Sequence, residues 1–106
     1  DKDGKFLALK ETIYSNVGGN CVSYVPAANG SRIATTVYKT PFLDMHAIGI
    51  LTNTLPSVNY RGAGRPQAML VMERLVDLAA DKLGIDRIEL RRRTLEQAAE
   101  HFLPGE

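Results

Sequence analysis

One amphipathic segment, between Pro66 and Gly84, most limits how this chain can fold. Apolar residues recur in it at intervals of three and four, which places them on one side of an α-helix. Proline suits the first turn of a helix and glycine its end, so a helix is predicted here. The apolar side comprises Ala68, Met72, Leu75, Val76, Ala79 and Leu83. Three more apolar residues, 69–71, widen this surface, so its early turns need cover on more than one side.

A second helix is predicted directly after the first. Asp86 can accept hydrogen bonds from the first free backbone amides, and Glu89 is placed to reach back, as in a capping box. This helix should run to about Leu95. An ion pair such as Glu89–Arg93 adds only about 0.2–0.5 kcal/mol, so the packing of Ile88, Leu95 or their neighbours must supply most of the stability.

The first half of the chain is rich in strand-forming residues. Residues 5–15 predict one strand, and residues 42–53 alternate in polarity and predict a second, half-buried strand. Its apolar face carries Leu43, Met45, Ala47, Gly49 and Leu51. The signals in residues 21–34 conflict, because strand-forming residues are interrupted by proline, asparagine and glycine. The predicted fold class is α+β: a few strands, a glycine-rich loop and two C-terminal helices.

The loop of residues 59–67, called here the Arg61 loop, joins the second strand to the long helix. Gly62 and Gly64 permit backbone angles and close approaches that a Cβ atom would block. The helix start also presents free N–H groups with a partial positive charge, which suits an anion or an oxo ligand. The simpler alternative, which physics alone favours, is a tight turn followed by a helix-starting Pro66.

The composition counts against several classes of function. Hydrophobic residues make up 44% of the chain and charged residues 24%, as in ordinary folded, soluble proteins. Thirteen basic and twelve acidic residues give a formal charge of +1, so no strong field favours nucleic acid or an anionic membrane. No apolar run approaches the roughly 18 residues of a membrane span. The single cysteine, Cys21, predicts a reducing compartment, the cytoplasm.

Several isolated residues are interpreted as structural. His46 and His101 lack companions at metal-ligand spacing, so no metal site is predicted. Cys21 is expected to be partly buried, with nothing beside it to lower its pKa. The consecutive residues Arg91–Arg93 point in different directions around the second helix, so they do not form a nucleic-acid patch. They are interpreted as lying near the C-terminal end of this helix, where positive charges interact favourably with the helix dipole.

An ordered series of motifs runs from residue 38 to residue 95. It comprises Tyr38–Pro41, Asn53–Pro56, Tyr60–Gln67, Met72–Asp77, Leu83–Asp86 and Glu89–Arg93. Together these resemble the large, molybdopterin-binding subunit of molybdenum hydroxylases of the xanthine dehydrogenase, aldehyde oxidase and carbon monoxide dehydrogenase type. Residues 1–106 are therefore interpreted as a single fragment of that molybdopterin-binding domain. It divides into a strand-rich part (5–54), the active-site loop (59–67) and a helical part (67–95).

This resemblance implies a role for the loop. Arg61 would lie at the active site and act electrostatically, while Gly62, Ala63, Gly64, Arg65 and Gln67 would line the cofactor pocket. The cofactor would be molybdopterin, as the cytosine dinucleotide if the source is bacterial. The parent enzyme would hydroxylate a small molecule with water-derived oxygen and pass electrons to iron–sulfur and flavin subunits or domains.

The resemblance also shows what the chain lacks. The family's general-base glutamate and its other glycine-rich cofactor loop have no match, so the isolated fragment is expected to hold no cofactor and show no turnover. Carbon monoxide dehydrogenases carry a copper-binding cysteine where this chain has Gly62. Two other functions stay open: a small protein-interaction module and an autonomous anion- or nucleotide-binding domain. Self-association of the isolated fragment is open as well.

Overall fold

A computed structural model describes residues 1–99 of the chain, with side chains described as far as Leu95. The secondary-structure elements, in chain order, are β1 (Ala8–Gly18), α1 (Val25–Arg32), β2 (Phe42–Leu51), α2 (Arg65–Leu83) and α3 (Arg87–Ala99). The predicted α+β class is confirmed, with both strands and both C-terminal helices present. The stretch with conflicting signals contains α1. His101 lies outside the described residues.

The two strands form a parallel sheet, in which Ala8 pairs with Phe42 and Asn16 with Ile50. Parallel neighbours cannot be joined by a tight hairpin, so the chain crosses over through α1 before returning as β2. The regular register ends in an irregularity between Asn16 and Gly18, and Gly18 has a φ of 70°. This end of β1 lies beside the segment that leads to the Arg61 loop.

Strand β2 is more exposed than its sequence pattern predicts. Of its ten residues only Met45 is partly buried, and Phe42 and Leu51 are each 73% exposed. The prediction of a half-buried strand was therefore wrong for this chain. A two-stranded sheet accompanied by one short helix leaves most of β2 uncovered, whatever the polarity pattern along the strand.

The hydrophobic core lies where α2 meets α3. Val76, Ala80 and Leu90 are almost fully removed from solvent, and Tyr38 and Met72 complete the cluster. Both residues named for the packing of α3 are exposed, Ile88 by 69% and Leu95 by 43%, and it is a neighbour, Leu90, that packs, as the prediction allowed. On α2 the predicted residues Ala68, Met72 and Val76 are buried, whereas Leu75 and Leu83 face solvent.

A polar network connects Tyr38, α2 and α3. The Tyr38 hydroxyl donates to Glu73 at 2.6 Å, and Arg91 donates to Glu73 at 2.7 Å and pairs with Asp77 at 2.8 Å. Burial, together with the Glu73 carboxylate, raises the pKa of Tyr38 to about 12, so the hydroxyl remains a donor at neutral pH. The network joins α2 to α3 beside the core.

The start of α3 follows the prediction in part. Asp86 accepts hydrogen bonds from the backbone N–H groups of residues 88 and 89, both at 3.0 Å. Glu89 does not reach back but pairs with Arg92 and Arg93, the latter at 2.9 Å as predicted. The helix-end interpretation of the consecutive arginines was wrong, because α3 continues to Ala99 and they lie mid-helix in ion pairs.

Cys21 and His46, both interpreted as structural residues, lie on the surface. Cys21 is free and exposed, so the expectation of partial burial was wrong; it lies in the irregular stretch between β1 and α1. His46, on β2, is exposed, and its Nε2 atom lies 3.3 Å from Oδ1 of Asp44. None of the helices in the described part of the chain is long and apolar enough to cross a membrane.

The chain buries less surface than a free-standing domain of its size. Its accessible surface is 7704 Å², against about 5800 Å² expected for a compact monomer of this mass. Its radius of gyration is 16.3 Å, against about 13 Å for a compact domain. Within the described residues twenty-two large apolar side chains are exposed. Such a surface is typical of a segment that packs against further protein.

Candidate functional site

The Arg61 loop folds as two overlapping turns. The Ala63 N–H donates to the Tyr60 carbonyl at 2.7 Å, and the Arg65 N–H donates to the Gly62 carbonyl at 3.0 Å. Three consecutive residues have positive φ angles: 86° at Gly62, 42° at Ala63 and 95° at Gly64. Residues with a Cβ atom rarely adopt this region, so the two glycines are what allow this backbone path.

Gly64 holds the loop against α1. A Cβ atom at Gly64 would overlap the carbonyl oxygen of Pro26, in the first turn of α1. A Cβ added to Gly30, also on α1, would lie 3.6 Å from the Gly64 carbonyl oxygen. Two backbones therefore meet without intervening side chains, and the loop is fixed to the crossover between the strands.

The start of α2 lacks a side-chain cap and a neighbouring negative charge, although the Arg65 N–H is taken by the Gly62 carbonyl. Gly64 is the N-cap residue, no side chain caps the helix, and its first turn contains no acidic residue. Arg61 and Arg65 are exposed nearby. Within the described part of the chain neither arginine lies within 4 Å of a carboxylate. The positive partial charge of the helix end and two unpaired guanidinium groups thus occur together.

A cleft of about 940 Å³ lies between the loop, β1 and α1, near the upper end of the roughly 300–1,000 Å³ typical of ligand pockets. Of the residues predicted to form the site, Arg61, Ala63, Gly64 and Gln67 line this cleft. Gly62 and Arg65 do not line it. The loop therefore brings four of the six candidate residues to one cavity.

The opposite wall of the cleft was missed by the sequence analysis. It is formed by residues 11–16 of β1 and by Pro26, Ala27 and Gly30 of α1. Its one carboxylate is Glu11, whose pKa is raised by partial burial. One signal in the sequence could have indicated this wall. Proline and glycine interrupt residues 21–34, and these residue types allow α1 to approach the loop closely.

The chemistry that this arrangement supports is binding and charge stabilisation. The cleft combines a guanidinium group, a helix N-terminus and the Gln67 amide, with Glu11 as its only acidic side chain. In the described range 1–99, no three His, Cys, Asp or Glu side chains cluster as metal ligands. The guanidinium group and the helix start suit the cleft to an anionic ligand.

Residues 1–95 match the family model of the molybdopterin cofactor-binding domain. The chain belongs to this family. It is 34% identical over 103 residues to nicotinate hydroxylase from Emericella nidulans, a match that covers 94% of this chain and 8% of that protein. It is 31% identical over 108 residues to subunit gamma of the 6-hydroxypseudooxynicotine dehydrogenase complex from Paenarthrobacter nicotinovorans, covering 99% of this chain and 14% of that subunit. The chain thus spans only about a tenth of these relatives.

Solved structures agree with the family and with the fold. Quinoline 2-oxidoreductase from Pseudomonas putida 86 superposes with a TM-score of 0.81 at 35% identity, over 88% of this chain and 12% of that one. Aldehyde oxidoreductase from Desulfovibrio gigas gives a TM-score of 0.80 at 29% identity, over 88% and 10%. A Cu,Mo-CO dehydrogenase gives 0.66 at 28% identity, over 87% and 12%. The molybdenum hydroxylase resemblance is confirmed.

Proposed function

We propose that this chain forms one wall of the molybdopterin site of a molybdenum hydroxylase-type oxidoreductase. The observation that carries the proposal is the convergence of Arg61, the glycine-rich loop and the start of α2, which no side chain caps, on one cleft. Membership of the molybdopterin cofactor-binding family supports this choice of ligand over other anions.

The residues present fit such a cofactor. Molybdopterin carries a phosphate group, and a guanidinium group or a helix N-terminus binds phosphate well. Four residues of the loop would hold the cofactor: Arg61, Ala63, Gly64 and Gln67. Gly62 would contribute by allowing the backbone path of the loop, and Arg65 by adding positive charge beside it. When bound, the cofactor supplies the redox chemistry, and the chain supplies orientation and charge.

Arg61 is the residue to which we assign a catalytic role. Its guanidinium group has five donors in a fixed plane and stays charged at every relevant pH. Once other segments exclude water from the cleft, a fixed positive charge stabilises developing negative charge on a bound substrate far more than it would in water. Arg61 has no ion pair among the described residues that would compete for this role.

Copper chemistry is not proposed for this chain. Gly62 stands where carbon monoxide dehydrogenases place a copper-binding cysteine, and glycine has no side chain to bind copper. Its φ is 86°, and an added Cβ would lie 2.7 Å from Cδ of Pro66. This backbone therefore disfavours a cysteine as well as lacking one. We propose oxidation of an aldehyde or a nitrogen heterocycle instead of CO.

We further propose that the chain is inactive alone. Its extended shape and its many exposed apolar side chains support completion of the site by other segments of a larger subunit. The proposed parent passes electrons to iron–sulfur and flavin partners, and for a bacterial source we propose the cytosine dinucleotide form of molybdopterin. A cytoplasmic location remains a prediction.

A substrate panel tests the proposed reaction. The full-length protein, purified with its accessory subunits, is expected to oxidise aldehydes or nitrogen heterocycles with an artificial electron acceptor, and to leave CO unoxidised. Elemental analysis should find copper well below the molybdenum content. Equimolar copper with CO oxidation would contradict the assignment for Gly62. A molybdenum-loaded protein that oxidises no compound of either class would contradict the proposed substrates.

A further inference from the structure

We propose that Asn16, at the end of β1, is a positioning residue that holds residues 52–57, and through them the Arg61 loop, in place. The effect on turnover rests on the proposed function, whereas the effect on local structure does not. The proposal comes from its hydrogen bonds.

Every hydrogen-bonding position of the Asn16 side chain is used. Its Nδ2 donates to Oγ1 of Thr54 at 2.8 Å and to the Leu55 carbonyl at 3.2 Å. Its Oδ1 accepts from Oγ1 of Thr52 at 2.6 Å and from the Gly18 N–H at 2.9 Å. A side-chain amide has two donor hydrogens and two acceptor lone pairs, so the group is saturated. Three of these four bonds reach residues 52–55.

Residues 52–57 have little other support. They adopt no helix or strand, and Leu55 is 88% exposed. Some of their remaining hydrogen bonds lie within the segment, among residues 52–55. The others lead back to the same end of β1: the Ser57 N–H donates to the Asn16 carbonyl at 3.2 Å and the Thr52 N–H to the Gly18 carbonyl at 3.1 Å. A Cβ added to Gly18 would lie 2.6 Å from the Pro56 nitrogen. The end of β1 therefore determines the path of this segment.

The segment leads directly into the site. Asn16, Ser57 and Arg61 line the same cleft, and residues 58–60 are all that separates Ser57 from Arg61. A displacement of about 1 Å at a reacting group can cost about 100-fold in rate. Loosening residues 52–57 would therefore reach Arg61 without any change to the loop itself.

The substitution Asn16→Asp tests the side-chain amide with almost no change of shape. The two acceptor positions remain, but both donors are lost. The Thr54 hydroxyl can turn to donate to the new carboxylate, whereas the Leu55 carbonyl oxygen would face that carboxylate at about the same 3.2 Å separation. Asn20→Asp is the matched control, because Asn20 is exposed just after β1 and its side chain makes no hydrogen bond within residues 1–99.

Hydrogen exchange of the full-length protein is the first measurement. Asn16→Asp should speed exchange of the Thr52 and Ser57 amides, whose N–H groups donate to β1, about tenfold, since a net hydrogen bond contributes roughly that factor. Amides of α3 should be unchanged, and Asn20→Asp should match the wild type. Unchanged exchange in residues 52–57, or an equal rise in α3, would overturn the proposal, because the latter indicates a general loss of stability.

A double-mutant comparison of turnover per bound molybdenum is the second measurement. Asn16→Asp alone should lower kcat about tenfold or more, and it should have little further effect in an Arg61→Ala background. Multiplying effects would overturn the assignment that Asn16 acts through the Arg61 loop. If Arg61→Ala itself left turnover unchanged, the proposed function would fail, while the exchange result would still decide whether Asn16 positions residues 52–57.

Discussion

Replacement of Arg61 by alanine in the full-length protein is expected to lower kcat by about 100-fold or more. Loss of one preorganised donor to developing charge costs roughly 100- to 1,000-fold in well-studied enzymes. Among the described residues Arg61 is the one basic side chain that lines the cleft, and the nearby Arg65 does not line it, so no second cation is placed to substitute for Arg61. Turnover should be measured per bound molybdenum, which separates a catalytic loss from loss of cofactor.

Two controls sharpen this prediction. Arg61→Lys keeps the charge but not the planar, two-pronged donor, so an intermediate rate is expected. Arg74→Ala removes an exposed arginine of α2 that does not line the cleft, and it should leave turnover unchanged. Wild-type turnover and cofactor content in Arg61→Ala would instead favour a protein-interaction module with a purely structural loop.

Gly64→Ala is expected to remove most of the bound molybdopterin. The new Cβ would overlap the Pro26 carbonyl oxygen, which is backbone and cannot rotate away. A φ of 95° adds strain for any residue other than glycine. We expect a loss of about 2–4 kcal/mol of local stability, in the range of substitutions that force the backbone to shift. The cofactor content of the purified protein and the exchange rates of the loop amides measure the effect.

Gly84→Ala is the matched control for that substitution. Gly84 also has a positive φ, 67°, but an added Cβ there meets nothing within 4 Å. Only the conformational penalty of about 1 kcal/mol is expected, with cofactor content retained. If both alanine variants kept the same cofactor content, the close contact between the loop and α1 would not matter for the site.

Local signals predicted much of the fold. The spacing of apolar residues, Pro66 and Gly84 located α2, and Asp86 located the start of α3, because these features act within one or two helical turns. Burial was predicted less well. Leu75, Ile88 and the apolar face of β2 are exposed, since burial depends on protein that packs from elsewhere and not on the periodicity of the segment itself.

The candidate site was likewise predicted where local signals define it and missed where distant parts of the chain meet. The glycine spacing identified the Arg61 loop, and four of its six predicted residues line the cleft. The contact between Gly64 and Pro26, and the bonds from Asn16 to residues 52–55, join parts of the chain more than 30 residues apart. No local pattern marks such contacts. The parallel pairing of the strands was likewise not predicted, because it depends on the crossover through α1.

Molybdenum and pterin analysis of the full-length protein, beside the isolated 106-residue chain, tests the proposed site most directly. Both should be expressed in a host that makes the cofactor, and the full-length protein with its accessory subunits. We predict molybdenum and pterin in near-equal amounts in the full-length protein and neither in the isolated chain. A full-length protein free of both would contradict a molybdopterin site at the Arg61 loop.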